Sequence, residues 1–167
     1  MKVNVILITY NHSECIVHAL DSILMQNTTH EVEIIVADDC STDNTLDIIK
    51  QHKNNSGFRY VYLEQTSNFG FVKNYQRAFK ACNGDYVLIM EGDDYWTTDN
   101  HIEQHVSFLE KHAECSMSYN RHLRVFVDQN REEIFEWIDS EISLHIFTVA
   151  HTRNSGYIIS CHFCDIL

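Results

Sequence analysis

The chain has 167 residues, 44% of them hydrophobic, which is enough for one buried core, and no break in composition divides it. Its 24 acidic residues against 12 basic ones give a formal net charge of -12, arguing against a nonspecific grip on nucleic acid through phosphate neutralisation. No apolar run approaches the roughly 20 residues that cross a bilayer, so a transmembrane segment is not expected.

The N-terminus lacks the basic and apolar regions of a signal peptide, and the six cysteines are scattered through periodic segments. Reduced thiols and a cytoplasmic location are the expectation, with peripheral association at the inner face of the membrane left open. Cys161-His162-Phe163-Cys164 lacks the second ligand pair that a structural zinc site needs.

In chain order, residues 3–9 are a β-branched apolar run that reads as a buried parallel strand opening into Tyr10-Asn11-His12-Ser13. Ser13 is placed to cap a helix over 14–26, where Cys15, Ile16, Ala19, Leu20, Ile23 and Leu24 recur at helical spacing. A strand at 32–37, the loop Asp38-Asp39-Cys40-Ser41 and a helix over 44–52 repeat the pattern, with Asp43 or Ser41 as cap. After the turn residues 54–57 come a strand at 58–63, the loop Ser67-Asn68-Phe69-Gly70 and a helix over 72–82. Asn83-Gly84 closes that helix, Gly84 supplying a left-handed C-terminus.

Residues 86–90 form the most clearly buried strand, and they run straight into Glu91-Gly92-Asp93-Asp94. A helix over 99–111 and a strand over 116–127 follow, then a strand at 132–138, a short helix at 140–147 and a strand at 156–163. Strands separated by helix-length segments predict an α/β fold: a mainly parallel sheet with helices on both faces, in three layers. Ligands of such sheets bind beyond the carboxyl ends of the strands, where the polar clusters fall.

Three carboxylates beside a buried strand repel one another unless a cation or ligand compensates them, and a hard divalent ion takes such oxygens together with phosphates. Gly92, lacking a side chain, would let a ligand approach the backbone. In the second cluster a carboxylate of Asp38-Asp39 can accept a hydrogen bond from a nucleobase or ribose, while Ser41 or Asp43 caps the next helix.

The ordered series Ile8-Thr9-Tyr10-Asn11, Val36 to Asp43, Asn68-Phe69-Gly70, Gly84-Asp85-Tyr86 and Glu91-Gly92-Asp93-Asp94-Tyr95-Trp96 resembles the motifs of family 2 glycosyltransferases with the GT-A fold, a Rossmann-like three-layer sandwich. The resemblance covers residues 3–127. It implies that Thr9, Tyr10, Asn11 and Asp39 hold the nucleotide, and that Glu91, Gly92 and Asp93 belong to the donor nucleotide site. Asp93 is then the ligand of a divalent metal, Mn2+ or Mg2+, within a DXD-like motif whose first position is here Glu91. Asp94 and Trp96 resemble residues on the donor-sugar or acceptor side. Lys73 stands where the family carries a basic residue against the diphosphate; on its own residues it reads equally as a solvated helix lysine.

The implied reaction is transfer of a sugar from a nucleoside diphosphate donor, a UDP-sugar, to a hydroxyl of a saccharide or lipid-linked acceptor. Inversion at the anomeric carbon is expected, in surface polysaccharide or glycan biosynthesis. Residues 1–127 are the expected donor-binding unit, and 128–167 the start of an acceptor-side region, truncated, in the same globular unit. No catalytic residue is assigned, because the carboxylate base that displacement needs matches no motif here. The alternatives are a noncatalytic nucleotide-sugar-binding fragment and a sugar nucleotidyltransferase. The second would require a Gly-rich basic loop, and residues 9–13 contain neither Gly nor Lys. Oligomeric state is not legible.

Overall fold

The computed structural model describes residues 1–52 and 57–119, together with the backbone of strands at 122–126, 131–135 and 156–158. Its elements are β1 (Lys2–Thr9), α1 (Ile16–Leu24), β2 (Glu31–Asp38), α2 (Thr45–Gln51), β3 (Arg59–Tyr62), α3 (Phe71–Ala81), β4 (Tyr86–Glu91), α4 (His101–Lys111), β5 (Met117–Ser118), β6 (His122–Phe126), β7 (Arg131–Phe135) and β8 (Gly156–Ile158). Six strands form one sheet in the order β3-β2-β1-β4-β8-β5, each neighbouring pair parallel. Strands β6 and β7 pair separately as an antiparallel hairpin.

The sheet is buried on both faces because its central strands are apolar at successive positions. Val3, Val5 and Leu7 of β1 join Val32, Ile34 and Val36 of β2 and Leu88 and Met90 of β4, and they pack on α1, α2 and α4. Ile6, Ile8, Ile35, Ala37 and Val87 point the other way, onto Ala78, Tyr75 and Phe79 of α3. Each large side chain so buried contributes about 1.5–3 kcal/mol relative to exposure, which offsets the ordering of the chain. The α/β sandwich with helices on both faces is therefore as the sequence pattern predicts.

Asn4 is a polar residue within the apolar run of β1, fully buried, and its side chain is satisfied on both sides. Its Nδ2 donates to Glu33 Oε2 at 2.9 Å, and its Oδ1 accepts from the Asn83 amide at 2.8 Å and the Gly84 amide at 2.5 Å. Gly84 is thus a close-approach glycine rather than the left-handed helix terminus expected: a Cβ there would lie 2.8 Å from Asn4 Oδ1 and 2.9 Å from the Lys2 carbonyl oxygen. Helix α3 ends instead on Cys82 in an extended conformation.

Three further local expectations are corrected. Ser13 does not cap α1; Cys15 occupies the cap position without a side-chain bond, and the Ser13 amide is drawn to Asp43 Oδ2 at 3.0 Å. The single strand expected over 116–127 is two, with β5 in the main sheet and β6 in the hairpin. Asn44 holds the cap position of α2, although Asp43 does serve its first turn, Oδ1 accepting from the Thr45 amide at 3.0 Å. The helix expected at 140–147 and the cysteine pair at 161 and 164 lie outside the described residues, as do residues 54–56 of the expected turn.

Strand order fixes where a ligand can sit. The chain steps from β1 to β2 to β3 in one direction, then crosses through α3 on the opposite face to place β4 on the other side of β1. The crevice beyond the carboxyl ends of β1 and β4 is where such a sheet reverses direction and opens. Register sets Thr9 beside Asp38 and Ile8 beside Glu91, so the loops after β1, β2 and β4 start level with one another.

Candidate active site

The loop after β1 is stitched to the loop after β2. The Asn11 amide donates to Ser41 Oγ at 2.9 Å, and Asn11 Oδ1 accepts from the Thr42 amide at 2.8 Å. The His12 amide donates to Thr45 Oγ1 at 2.8 Å. Asn11 takes this path with φ of 58°, a left-handed conformation that asparagine tolerates better than most residues. Cys40 does so as well, at φ 60°, without that excuse. Desolvation alone would raise the Asp43 carboxyl, but hydrogen bonds donated to it by the Thr45 hydroxyl and amide and by Ser13 outweigh that and hold it far below the usual range, so this clamp is ionised across ordinary pH.

Asp39 binds the loop before α3 to the same rim. It is buried, and its carboxylate accepts from the Phe69 amide at 2.9 Å, the Gly70 amide at 2.8 Å and the Gln65 side-chain amide. Gly70 makes this possible with φ of 81°, turning two consecutive amides toward one carboxylate. Beneath the loop, Arg77 of α3 donates to the Asp38 carbonyl at 2.6 Å and the Leu63 carbonyl at 3.0 Å, joining the ends of β2 and β3. Asp39 is thus engaged in organising two loops, and Asp38 turns back on Ser41, whose amide donates to it at 2.9 Å.

The acidic turn closes the third side. Its first carboxylate, Glu91, accepts a 2.5 Å hydrogen bond from the Tyr75 phenol of α3. Burial pushes the Glu91 carboxyl above its ordinary value; the Tyr75 bond opposes this, the Asp93 charge adds to it, and His12 opposes it. The Asp94 amide donates to the Glu91 carbonyl at 3.1 Å, making a tight turn that leaves Asp93 at its tip and Asp94 buried. Asp93 keeps about a quarter of its side chain exposed, with His12 Nε2 4.0 Å from Oδ1.

Gly92 serves a purpose other than the one expected. A Cβ at that position would lie 2.5 Å from His12 Nδ1 and 2.9 Å from both Thr9 Oγ1 and Ile16 Cδ1, so the missing side chain makes room for the chain's own residues rather than a ligand. Thr9 is buried beneath it and does not present its hydroxyl to solvent; Thr9 Oγ1 and His12 Nδ1 are buried polar atoms without a hydrogen-bond partner among the described residues. Next to Thr9 in this loop, Tyr10, 43% exposed, and Asn11 do face outward.

Trp96 is also corrected. It is 2% exposed and lies in the core, stacked on His101 with ring centroids 4.5 Å apart, so it cannot contact a sugar from that position. Lys73 is exposed on the first turn of α3, close in sequence to the Asp39–Gly70 junction.

Among the described residues no three His, Cys, Asp or Glu side chains are grouped to hold a metal alone. The donor set still fits a hard divalent ion of the kind bound through one or two carboxylates plus phosphate oxygens and water: Asp93 is a partly exposed carboxylate at a turn tip, whereas Glu91 is committed to Tyr75. Sequence reading did not single out His12, Tyr75, Gln65 or Arg77. His12 and Tyr75 each lie within a few residues of a motif, and only the crossing of α3 over the sheet brings Tyr75 to Glu91.

These loops sit in a chain whose residues 4–163 match the model of the family described as Glycosyl transferase family 2, and the chain belongs to that family. An uncharacterised protein of Mycobacterium tuberculosis is 31% identical over 132 residues, covering 79% of this chain and 38% of that protein. The putative teichuronic acid biosynthesis glycosyltransferase TuaG of Bacillus subtilis is 35% identical over 118 residues, 70% of this chain and 45% of TuaG. The crystal structure of S. aureus TarS in complex with UDP-GlcNAc superposes with a TM-score of 0.59 at 31% identity, over 75% of this chain and 34% of that one. A mannosyltransferase of Pyrobaculum calidifontis, solved with GDP-mannose and Mn2+, has a TM-score of 0.61 at 23% identity, a likeness of fold alone. The chain spans less than half the length of these relatives.

Proposed function

We propose that this chain carries the donor site of a glycosyltransferase that moves a sugar from a UDP-sugar to a hydroxyl acceptor, with a divalent metal and with inversion. The observation that carries the reading is the convergence of four polar loops on the carboxyl ends of β1, β2 and β4: Asn11 on Ser41 and Thr42, Asp39 on Phe69 and Gly70, and His12 facing Asp93. Residues 1–127 form the donor-binding unit in this reading, and 128–167 begin the acceptor side.

The roles follow from exposure and charge. Tyr10 and Asn11 face the nucleoside, while Asp39 acts through the loop it organises. Thr9 packs beneath Gly92 as support. Asp93 is the carboxylate that would hold Mn2+ or Mg2+ against the diphosphate, with Lys73 as a second source of positive charge at the start of α3. When bound, the metal neutralises charge on the departing diphosphate. Glu91, held by Tyr75, lies on the ribose side, and the buried Asp94 braces the turn behind Asp93 on the sugar side.

TarS bears the name poly(ribitol-phosphate) beta-N-acetylglucosaminyltransferase, and TuaG is named for teichuronic acid biosynthesis. Both names support a role in surface polysaccharide synthesis, with a saccharide or lipid-linked acceptor. Free thiols at Cys40, Cys82 and Cys115 accord with work in the cytoplasm. No helix among the described residues is long and apolar enough to cross a membrane. A thermal-shift panel of UDP, GDP, ADP and CDP with Mn2+ tests the donor assignment. Stabilisation by UDP above the others is expected, and stabilisation by none of them by a well-folded protein would remove the proposal.

A further inference from the structure

The His12 ring is wedged between the two halves of the site. Its backbone amide is fixed by Thr45 Oγ1 at 2.8 Å, and three-quarters of its side chain is buried. Nε2 faces Asp93 Oδ1 at 4.0 Å, and Nδ1 is buried against Gly92, where a Cβ would intrude to 2.5 Å. In a neutral imidazole one nitrogen carries the proton and the other a lone pair. An N–H directed at the Gly92 C–H would be crowded and unsatisfied, whereas a lone pair meets a C–H without conflict. The proton therefore belongs on Nε2, the nitrogen that faces the Asp93 carboxylate.

We propose that His12 is a positioning residue for Asp93: its Nε2–H steadies Oδ1 and so fixes the carboxylate that would hold the divalent ion. The inference rests on the reading of Asp93 as metal ligand. At 4.0 Å the neutral Nε2–H faces Oδ1 from beyond hydrogen-bond distance, and a rotation of the partly exposed Asp93 carboxylate would bring the two within it. Outer partners of this kind hold a ligating carboxylate in place, and their loss typically weakens metal affinity by about 10–100-fold. Gly92 is the complementary half of the arrangement, because any larger residue displaces the ring from this position.

The test separates the donor from the ring. Mn2+ affinity in the presence of UDP is read by electron paramagnetic resonance for the wild-type chain, His12→Gln and His12→Phe. Glutamine keeps an N–H near the Nε2 position, and phenylalanine keeps the ring without it. Expected is a loss of about tenfold or more for His12→Phe, with His12→Gln within about threefold of wild type. Retention by His12→Phe, or a loss in His12→Gln as large as in His12→Phe, overturns the proposal. A second measurement needs no variant: long-range proton–nitrogen correlation spectra of the wild-type protein under mildly basic conditions should show the Nε2–H tautomer. An Nδ1–H ring overturns the role of His12 while leaving Asp93 intact. Absence of Mn2+ binding by wild type with UDP overturns the Asp93 reading, and this role with it.

Discussion

The Tyr75 phenol donates a 2.5 Å hydrogen bond to Oε1 of Glu91, so the first carboxylate of the acidic turn is tied to helix α3 before any ligand arrives. That bond separates the two neighbouring acids: Glu91 is held inside, and Asp93 is left at the tip. It also explains how the longer Glu side chain is accommodated at the start of the turn, since its extra methylene reaches across to α3.

Glu91 costs the fold stability at neutral pH. Burial, the largest cause, raises its carboxyl above the ordinary value of 4.5, with Tyr75 only partly opposing. A carboxyl whose folded value lies above its unfolded one contributes stability below the unfolded value, and that contribution is lost as pH rises through the folded one. Glu91→Gln, which keeps an acceptor for Tyr75, should therefore melt higher than wild type at neutral pH. The difference should shrink as pH falls through the raised folded value toward about 4.5, and stay constant below that. Urea and thermal melts across this range check it, and a less stable variant at neutral pH would count against the assignment.

Asp39→Asn should destabilise the chain by about 2 kcal/mol, because one of the two oxygens receiving the Phe69 and Gly70 amides becomes an amide that confronts a donor. Hydrogen exchange at those two amides should speed up while exchange in β1 and β2 is little changed. Unaltered protection at both would mean the carboxylate does not organise this loop.

Cys40→Gly should raise stability by about 0.5–1 kcal/mol. A side chain at φ 60° is unfavourable by about 1–2 kcal/mol, of which part is offset by the extra freedom of glycine in the unfolded chain. The urea midpoint of unfolding reads this directly. Asn11→Gly should not gain in the same way, since Asn11 Oδ1 accepts the Thr42 amide.

The sheet was legible because its strands are continuous apolar runs, and the rim because polar clusters follow each run. Burial then reversed the reading of individual residues. Trp96 carries a family-like motif position but lies in the core, and Gly92 and Gly84 are required by close contacts with distant residues that no local pattern reveals. His12 and Tyr75 escaped notice for the same reason, since their partners are 81 and 16 residues away in sequence, Asp93 for one and Glu91 for the other. The strand expected over 116–127 failed because a run of β-forming residues does not say which sheet it joins.

The central claim is that Asp93 joins a divalent ion to a nucleoside diphosphate in the crevice between β1 and β4. Calorimetric titration of UDP into the wild-type chain and Asp93→Ala, each with and without Mn2+, tests it most directly. Wild type should bind UDP at least about tenfold more tightly with Mn2+, and Asp93→Ala should lose that gain while melting normally. Equal enhancement by Mn2+ in both proteins would contradict the account.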